Sequence, residues 1–166
     1  LLIALAMIVA VFQVLTKGTY LTVGNIRNIM ISSAIVGMAM IKGLDLIAVT
    51  DHNSCKNCPA VLTMAEAYGL TALPGMELTT SEEVHVVCLF ADLKDALAFD
   101  EYVYSHLMAV PNNEKIFGKQ QLYNADDEII GTIPNLLINA TTISFDDVFD
   151  LTKDYNGIMI PAHIDK

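Results

Sequence analysis

Three imidazoles and one carboxylate stand at or near the ends of apolar runs, where buried strands would emerge from a core. They are His52, Glu77, His85 and His163. Nitrogen and oxygen donors of this kind suit Zn, Mn or Fe. The pattern therefore indicates a site for divalent metal ions.

Each of these residues, taken alone, has a simpler explanation. A single histidine in an apolar run, such as His85, is more often a hydrogen-bonded core or surface residue than a ligand. Glu77 could be a turn carboxylate, and Asp51 with His52 could cap a helix. Four such groups at similar places in successive units favour the metal site over these separate explanations.

The elements that would position these side chains alternate between strand and helix periods. Short continuous apolar runs predict strands buried on both faces, over 46–49, 70–76, 84–90 and 158–160. Helices are predicted over 59–69, 92–108 and 144–155, the last two capped by Asp92 and Ser144, after an earlier helix over 32–40 that Gly43 would end. This alternation predicts an α/β fold with a parallel sheet, open or closed as a barrel, whose strand ends form the functional face.

Residues 111–134 do not fit this alternation. They are polar and turn-rich, and the segment is long for a plain connection. We interpret it as an inserted hairpin or an active-site loop, where substrate specificity would be determined.

Four local strings resemble the PHP (polymerase and histidinol phosphatase) domain. They read GLDLIAVTDHN from Gly43, PGME from Pro74, VHV from Val84 and PAH from Pro161. The resemblance extends over residues 30–166 and implies a partial, distorted β/α barrel of the PHP type. Residues 1–29 have no counterpart in that family and form an atypical apolar segment.

The resemblance also implies a chemistry. Proteins of that family hold divalent metals and hydrolyse phosphoesters, with a metal-bound hydroxide attacking phosphorus. By position, the metal ligands would be His52, Glu77, His85 and His163, and Asp51 would orient His52 from behind. The expected partner is a small phosphoester, since histidinol phosphate, nucleotides and nucleic-acid ends are all substrates within the family.

Two motifs of that family have no counterpart in this sequence. No histidine precedes His52, although the family opens with a strand that carries His-x-His, and its closing Asp-x-His pair would lie beyond Lys166. A frameshifted or misassembled reading, a decayed domain, or replacement of the first strand by an anchoring helix would each explain the missing start. We expect at most about one bound ion and weak activity for these residues, because metal affinity depends on ligand count. The alternative is a non-catalytic PHP-like binding or scaffolding module.

Charge and composition limit the classes of binding partner and the cellular setting that we expect. Nine Lys and Arg against nineteen Asp and Glu give a net charge of -10, which does not support binding of a long nucleic-acid backbone. Three cysteines form no secretory disulfide framework and favour a reducing cytoplasm. Residues 1–15 are almost wholly apolar but shorter than the roughly 20 residues that span a bilayer, so a buried helix competes with a truncated membrane anchor or signal core. The oligomeric state stays open.

Other polar groups are weaker candidates. Cys55 and Cys58 form a C-x-x-C pair, which could be a redox motif or half of a zinc site, but a second pair is lacking. His106 is interpreted as a helix residue at or near the surface. The paired acids at 82–83 and 126–128 are interpreted as solvated turns.

Overall fold

The computed structural model describes Val14 and residues 43–163. The chain divides into two compact units, Leu1–Gly43 and Leu44–Lys166, and the second contains nearly all the described residues. The predictions for the apolar segment 1–29, its membrane-anchoring alternative and the helix over 32–40 therefore lie outside the described residues. Gly43 itself has a φ of 65°, the left-handed conformation expected of a helix C-cap.

Residues 43–163 form six strands and four helices. The strands are β1 (Leu46–His52), β2 (Thr71–Thr79), β3 (His85–Phe90), β4 (Gln121–Tyr123), β5 (Ile129–Thr132) and β6 (Gly157–Pro161). The helices are α1 (Cys58–Ala67), α2 (Leu93–His106), α3 (Glu114–Phe117) and α4 (Phe145–Asp154). The mixed α/β class predicted from the sequence is confirmed, and residues 111–134 contain the predicted hairpin, formed by β4 and β5.

Local signals account for several helix ends. Ser144 caps α4, because its hydroxyl accepts a hydrogen bond from the Asp147 backbone N–H at 3.3 Å. Asp92 precedes α2 as predicted, but its side chain makes no capping hydrogen bond. Pro59 lies in the first turn of α1, where a missing N–H costs nothing.

The four long strands form one sheet in the order β1-β2-β3-β6. β1 and β2 are parallel, but β3 is antiparallel to both β2 and β6. The prediction of a parallel sheet is therefore wrong at β3. The reason is the short turn between β2 and β3, in which Thr80 N–H donates to the Val84 carbonyl at 2.9 Å, since so short a connection can join only antiparallel neighbours.

The sheet is partly open. Among residues 43–163, β1 and β6 form its two edges and no closed barrel is present, so the predicted barrel is not observed in this part of the chain. One face carries the core, where Met76, Leu78, Val86 and Phe90 pack with Phe99 of α2. No helix within the described residues has the length and apolar character needed to cross a membrane.

β2 continues without a break through Pro74 and Gly75. Gly75 makes this continuity sterically feasible, because a Cβ there would lie 2.4 Å from the Cys88 carbonyl oxygen of β3. The absence of a side chain at this position lets β2 and β3 approach closely. As a result, β2 extends beyond Met76 and carries Glu77 within the strand.

Candidate metal centre

Strand direction brings the candidate residues to one edge of the sheet. β1, β2 and β6 run the same way and end at this edge, whereas β3 runs the opposite way and begins there. His52 is the last residue of β1, and His85 is the first of β3. Glu77 lies near the end of β2, and His163 follows β6 by two residues.

Strand register places three of these side chains on the same face. His52 is paired directly with Glu77, and His85 is paired with Thr79, which is two residues beyond Glu77 on its strand. Because residues two apart on a strand share a face, His52, Glu77 and His85 project from one side of the sheet. This face is opposite the one that packs on α2.

The Glu77 carboxylate is the centre of the cluster. Its Oε1 lies 3.2 Å from His85 Nδ1 and 3.5 Å from His163 Nε2, and its Oε2 lies 3.6 Å from His52 Nδ1. One ligand atom from each of His52, Glu77 and His85 falls within 4.8 Å of the others. His163 is outside that tight group and is the most exposed of the four, with 56% of its side chain accessible.

The unsatisfied polar groups of this cluster fit a divalent cation. His52 Nδ1 is buried and has no hydrogen-bond partner in the described part of the chain. The His85 Nδ1 facing Glu77 can either donate a proton to the carboxylate or offer its lone pair to a metal, depending on the tautomer. Imidazole nitrogens around one carboxylate match the ligand chemistry of Zn, Mn and Fe.

Asn53 fixes the backbone beside this cluster, a role that sequence reasoning missed. It has a φ of 45° and is fully buried. Its side-chain amide donates to the carbonyls of Leu137 and Asn139 at 2.7 and 2.8 Å, and its Oδ1 accepts from Thr79 N–H at 2.8 Å. Its own N–H donates to the Glu77 carbonyl at 3.0 Å, so Asn53 joins the ends of β1 and β2 to the loop before α4.

Asp100 of α2 holds the turn that follows Asn53. Its carboxylate is 1% exposed and accepts hydrogen bonds from the Ser54 hydroxyl, the Cys55 backbone N–H at 2.7 Å and the Lys56 ammonium at 2.6 Å. A buried carboxylate needs such partners to offset desolvation. No local pattern predicts this role, because Asp100 belongs to an ordinary amphipathic helix.

Asp51 does not make the contact expected of it. Its Oδ2 accepts a hydrogen bond from the Asn57 side chain at 3.2 Å, and no hydrogen bond to His52 occurs among the described residues. Adjacent residues of a strand point to opposite faces, which directs Asp51 away from the ring of His52. The predicted orienting role thus has no supporting contact.

A cleft of about 380 Å³ opens beside His52. One wall is the end of β1 with the turn to α1, and the other comprises Phe117, residues 119–123, Ile133 and residues 136–138. The Asn57 side chain joins the walls, since its Oδ1 accepts from Tyr123 N–H at 3.1 Å and its Nδ2 donates to the Gln121 carbonyl at 3.4 Å. Residues 111–134 thus reach the candidate site, as an active-site loop would.

The C-x-x-C pair belongs to the core. Cys55 and Cys58 are buried, and both thiols point at the Gly75 carbonyl, at 3.2 and 3.6 Å. The hydrogen bond between the two thiols, together with burial, raises the pKa of Cys55, whereas the same hydrogen bond lowers the pKa of Cys58. They are not part of the one potential metal-binding group found within the described residues.

The remaining candidates have structural roles. His106 stacks on Tyr102 with ring centroids 4.2 Å apart, on α2. Glu82 accepts a hydrogen bond from the Phe145 backbone N–H at the start of α4. Hydrogen bonds from the Thr80 hydroxyl and this N–H lower the pKa of Glu82. Residues 126–128 form the β4–β5 turn around Asn124, as predicted for a solvated turn.

Comparisons with known proteins support the fold. Neither a family model nor a curated protein matches this sequence. A crystal structure from Bifidobacterium adolescentis, described as that of a candidate metal-dependent phosphoesterase, matches with a TM-score of 0.50 at 15% identity. The match covers 80% of this chain and 61% of that one, so this chain spans about three-fifths of its length. At this identity, the likeness shows a shared α/β fold.

Proposed function

We propose that this chain carries the metal site of a metal-dependent phosphoesterase. The proposal rests chiefly on the convergence of His52, Glu77 and His85, whose ligand atoms lie within 4.8 Å of one another. His163 is the proposed fourth ligand, because its Nε2 reaches the same carboxylate. The structural neighbour is described as a candidate metal-dependent phosphoesterase, which favours this class of reaction for a site of this composition.

Each residue would have a distinct task. Glu77 supplies the negative charge that stabilises a cation between the imidazoles, and its central place lets one carboxylate contact all three rings. His52 and His85 lie on strands and are therefore held firmly. His163 follows the strand end, with a φ of 56°, and leaves the site accessible from solvent. When bound, a divalent cation would supply Lewis-acid stabilisation of the phosphoryl oxygens and acidify a water molecule.

We further propose that the domain is of the PHP type, a partial and distorted β/α barrel. The strings around His52, Glu77, His85 and His163 support this assignment. Zn, Mn and Fe are all compatible with the donor set. Three free, buried thiols support a reducing, cytoplasmic setting, and the net charge of -10 supports a small phosphoester over a nucleic-acid chain.

Metal binding and hydrolysis test the proposal separately. Equilibrium dialysis of the full chain against Mn or Zn should show about one ion per chain, because the described donors form one cluster. Glu77→Gln keeps the side-chain shape but removes the central charge and should weaken metal affinity more than about 100-fold, beyond the effect of losing an outer-shell partner. His106→Gln is the matched control, since His106 lies on α2 outside the cluster, and it should bind like the wild type.

Activity is then measured as phosphate release from a panel of phosphomonoesters, with and without the added metal. We expect metal-dependent release that Glu77→Gln loses and His106→Gln retains. Unaltered metal affinity in Glu77→Gln would contradict the metal site. Stoichiometric metal binding without hydrolysis of any ester would contradict the phosphoesterase assignment and leave a binding module.

A further inference from the structure

The cleft beside His52 is a second feature of the proposed active site. His52 is shared by both, because it belongs to the ligand cluster and also lines the cleft. A phosphoryl group at the cluster would therefore have the cleft next to it. This argument rests on the proposed phosphoesterase function.

The far wall of the cleft is held by specific hydrogen bonds. The Gln120 amide donates to the carbonyls of Ile133 and Asn135 at 3.0 and 2.7 Å, and its Oε1 accepts from Leu137 N–H at 2.8 Å. These bonds fix the segment after β5 against the residue that precedes β4. Since Asn57 attaches the hairpin to the opposite wall, the cleft has a defined shape before any ligand enters.

The lining is mostly apolar. Phe117 and Ile138 line the cleft and keep 52% and 47% of their surfaces exposed, so their apolar surface is open to a ligand. Leu122, Leu136 and Leu137 also line it. A volume of about 380 Å³ is near the lower end for ligand pockets and suits a compact group.

The charged lining residues are Asp51 and Lys119, one of each sign. Several lining amides are already used within the walls, as described for Asn57 and Gln120. The cleft therefore lacks the cluster of cations that a second phosphate or a nucleic-acid strand would require. An uncharged, largely apolar group fits this lining best.

We propose that this cleft binds the alcohol portion of the substrate, and that the substrate is a phosphomonoester of a compact, apolar or aromatic alcohol. Phe117 and Ile138 are then specificity-determining residues, since they contact the part of the substrate that is released. The segments before β4 and after β5, which contain these two residues, thereby contribute to substrate choice.

Phosphonates test this because they bind without being cleaved. Calorimetric titration of the manganese-loaded full chain would compare phenylphosphonate with methylphosphonate, which share the anionic group and differ in the part that would occupy the cleft. We expect phenylphosphonate to bind at least about tenfold more tightly, the discrimination that even one methylene in a hydrophobic pocket can give. Phe117→Ala should reduce this ratio several-fold. Ile116→Ala is the matched control, because Ile116 is 71% exposed, adjacent in sequence and not in the lining, and it should keep the ratio.

The outcomes separate the two proposals. Equal affinity for both phosphonates would overturn the cleft assignment while leaving the phosphoesterase proposal standing. A strong preference for phenylphosphonate that Phe117→Ala and Ile138→Ala both leave unchanged would also overturn it, since the ring would then bind elsewhere. Failure of both phosphonates to bind the metal-loaded protein would overturn both proposals.

Discussion

Replacing Asn53 by glycine should destabilise the domain strongly, because three segments meet at this one buried amide. The substitution removes hydrogen bonds to the carbonyls of Leu137 and Asn139 and leaves the Thr79 N–H without its acceptor. Glycine tolerates the φ of 45° observed here, so backbone strain adds nothing to the effect. The change therefore isolates the contribution of the side chain.

The magnitude follows from the burial of each lost bond. The two bonds to carbonyls are partly buried and should contribute about 1 kcal/mol each, whereas the orphaned Thr79 N–H is buried and should cost about 1–3 kcal/mol. Asn53→Gly should thus lower the free energy of unfolding by about 3–5 kcal/mol. Asn53→Ala should cost roughly 1 kcal/mol more, because alanine pays for the left-handed backbone.

Urea unfolding followed by circular dichroism would measure these effects. Asn156→Gly is a matched control, since Asn156 has a φ of 58° but is exposed, and its side chain donates to the Asp95 carboxylate in an exposed hydrogen bond. It should change stability by less than about 0.5 kcal/mol. Equal effects of the two substitutions on the free energy of unfolding would show that the hydrogen bonds of Asn53 do not stabilise the domain as proposed. In the folded Asn53→Gly protein, metal affinity should also fall, because the end of β2 beyond Glu77 loses the hydrogen bond by which Thr79 N–H attaches it to residue 53.

Two further predictions concern the sheet. Gly75→Ala should destabilise the domain by about 3 kcal/mol in the same urea assay, because its Cβ would lie 2.4 Å from the Cys88 carbonyl oxygen. Gly131→Ala is the control and should be nearly neutral, because the atom nearest to its Cβ would be 3.7 Å away. Burial raises the pKa of the Cys88 thiol from 9.0 to about 11, although a hydrogen bond from Thr152 acts in the opposite direction. The thiol of the native protein should therefore react slowly with iodoacetamide at pH 8. Because the thiol ionises at a lower pH in the unfolded chain than in the folded one, the free energy of unfolding should fall as pH rises from about 9 to 11. Cys88→Ala should reduce this dependence of the free energy of unfolding on pH. Rapid alkylation of folded protein, or an unchanged pH dependence in Cys88→Ala, would contradict this assignment.

The fold could be predicted in outline because its signals are local. Apolar runs placed the four long strands, Ser144 placed the start of α4, and the turn-rich composition of residues 111–134 indicated a hairpin. Strand direction was wrong at β3, because alternating runs do not report it. The decisive signal was the length of the connection between β2 and β3, which is too short for a crossover.

The direction of β3 also decides whether His85 can reach the other candidate ligands. In a parallel sheet, a histidine at the start of a strand would lie at the edge opposite His52, far from any common site. With β3 reversed, the start of β3 meets the ends of β1 and β2, and His85 comes within 3.2 Å of Glu77. Residue type thus identified the cluster, whereas topology determines whether its members can meet.

The supporting residues Asn53 and Asp100 escaped prediction for a related reason, since their partners lie more than 40 positions away or on another element, and no local pattern encodes such pairings. A site of this kind is therefore best sought from strand ends and connection lengths together, because neither alone fixes which ends share an edge.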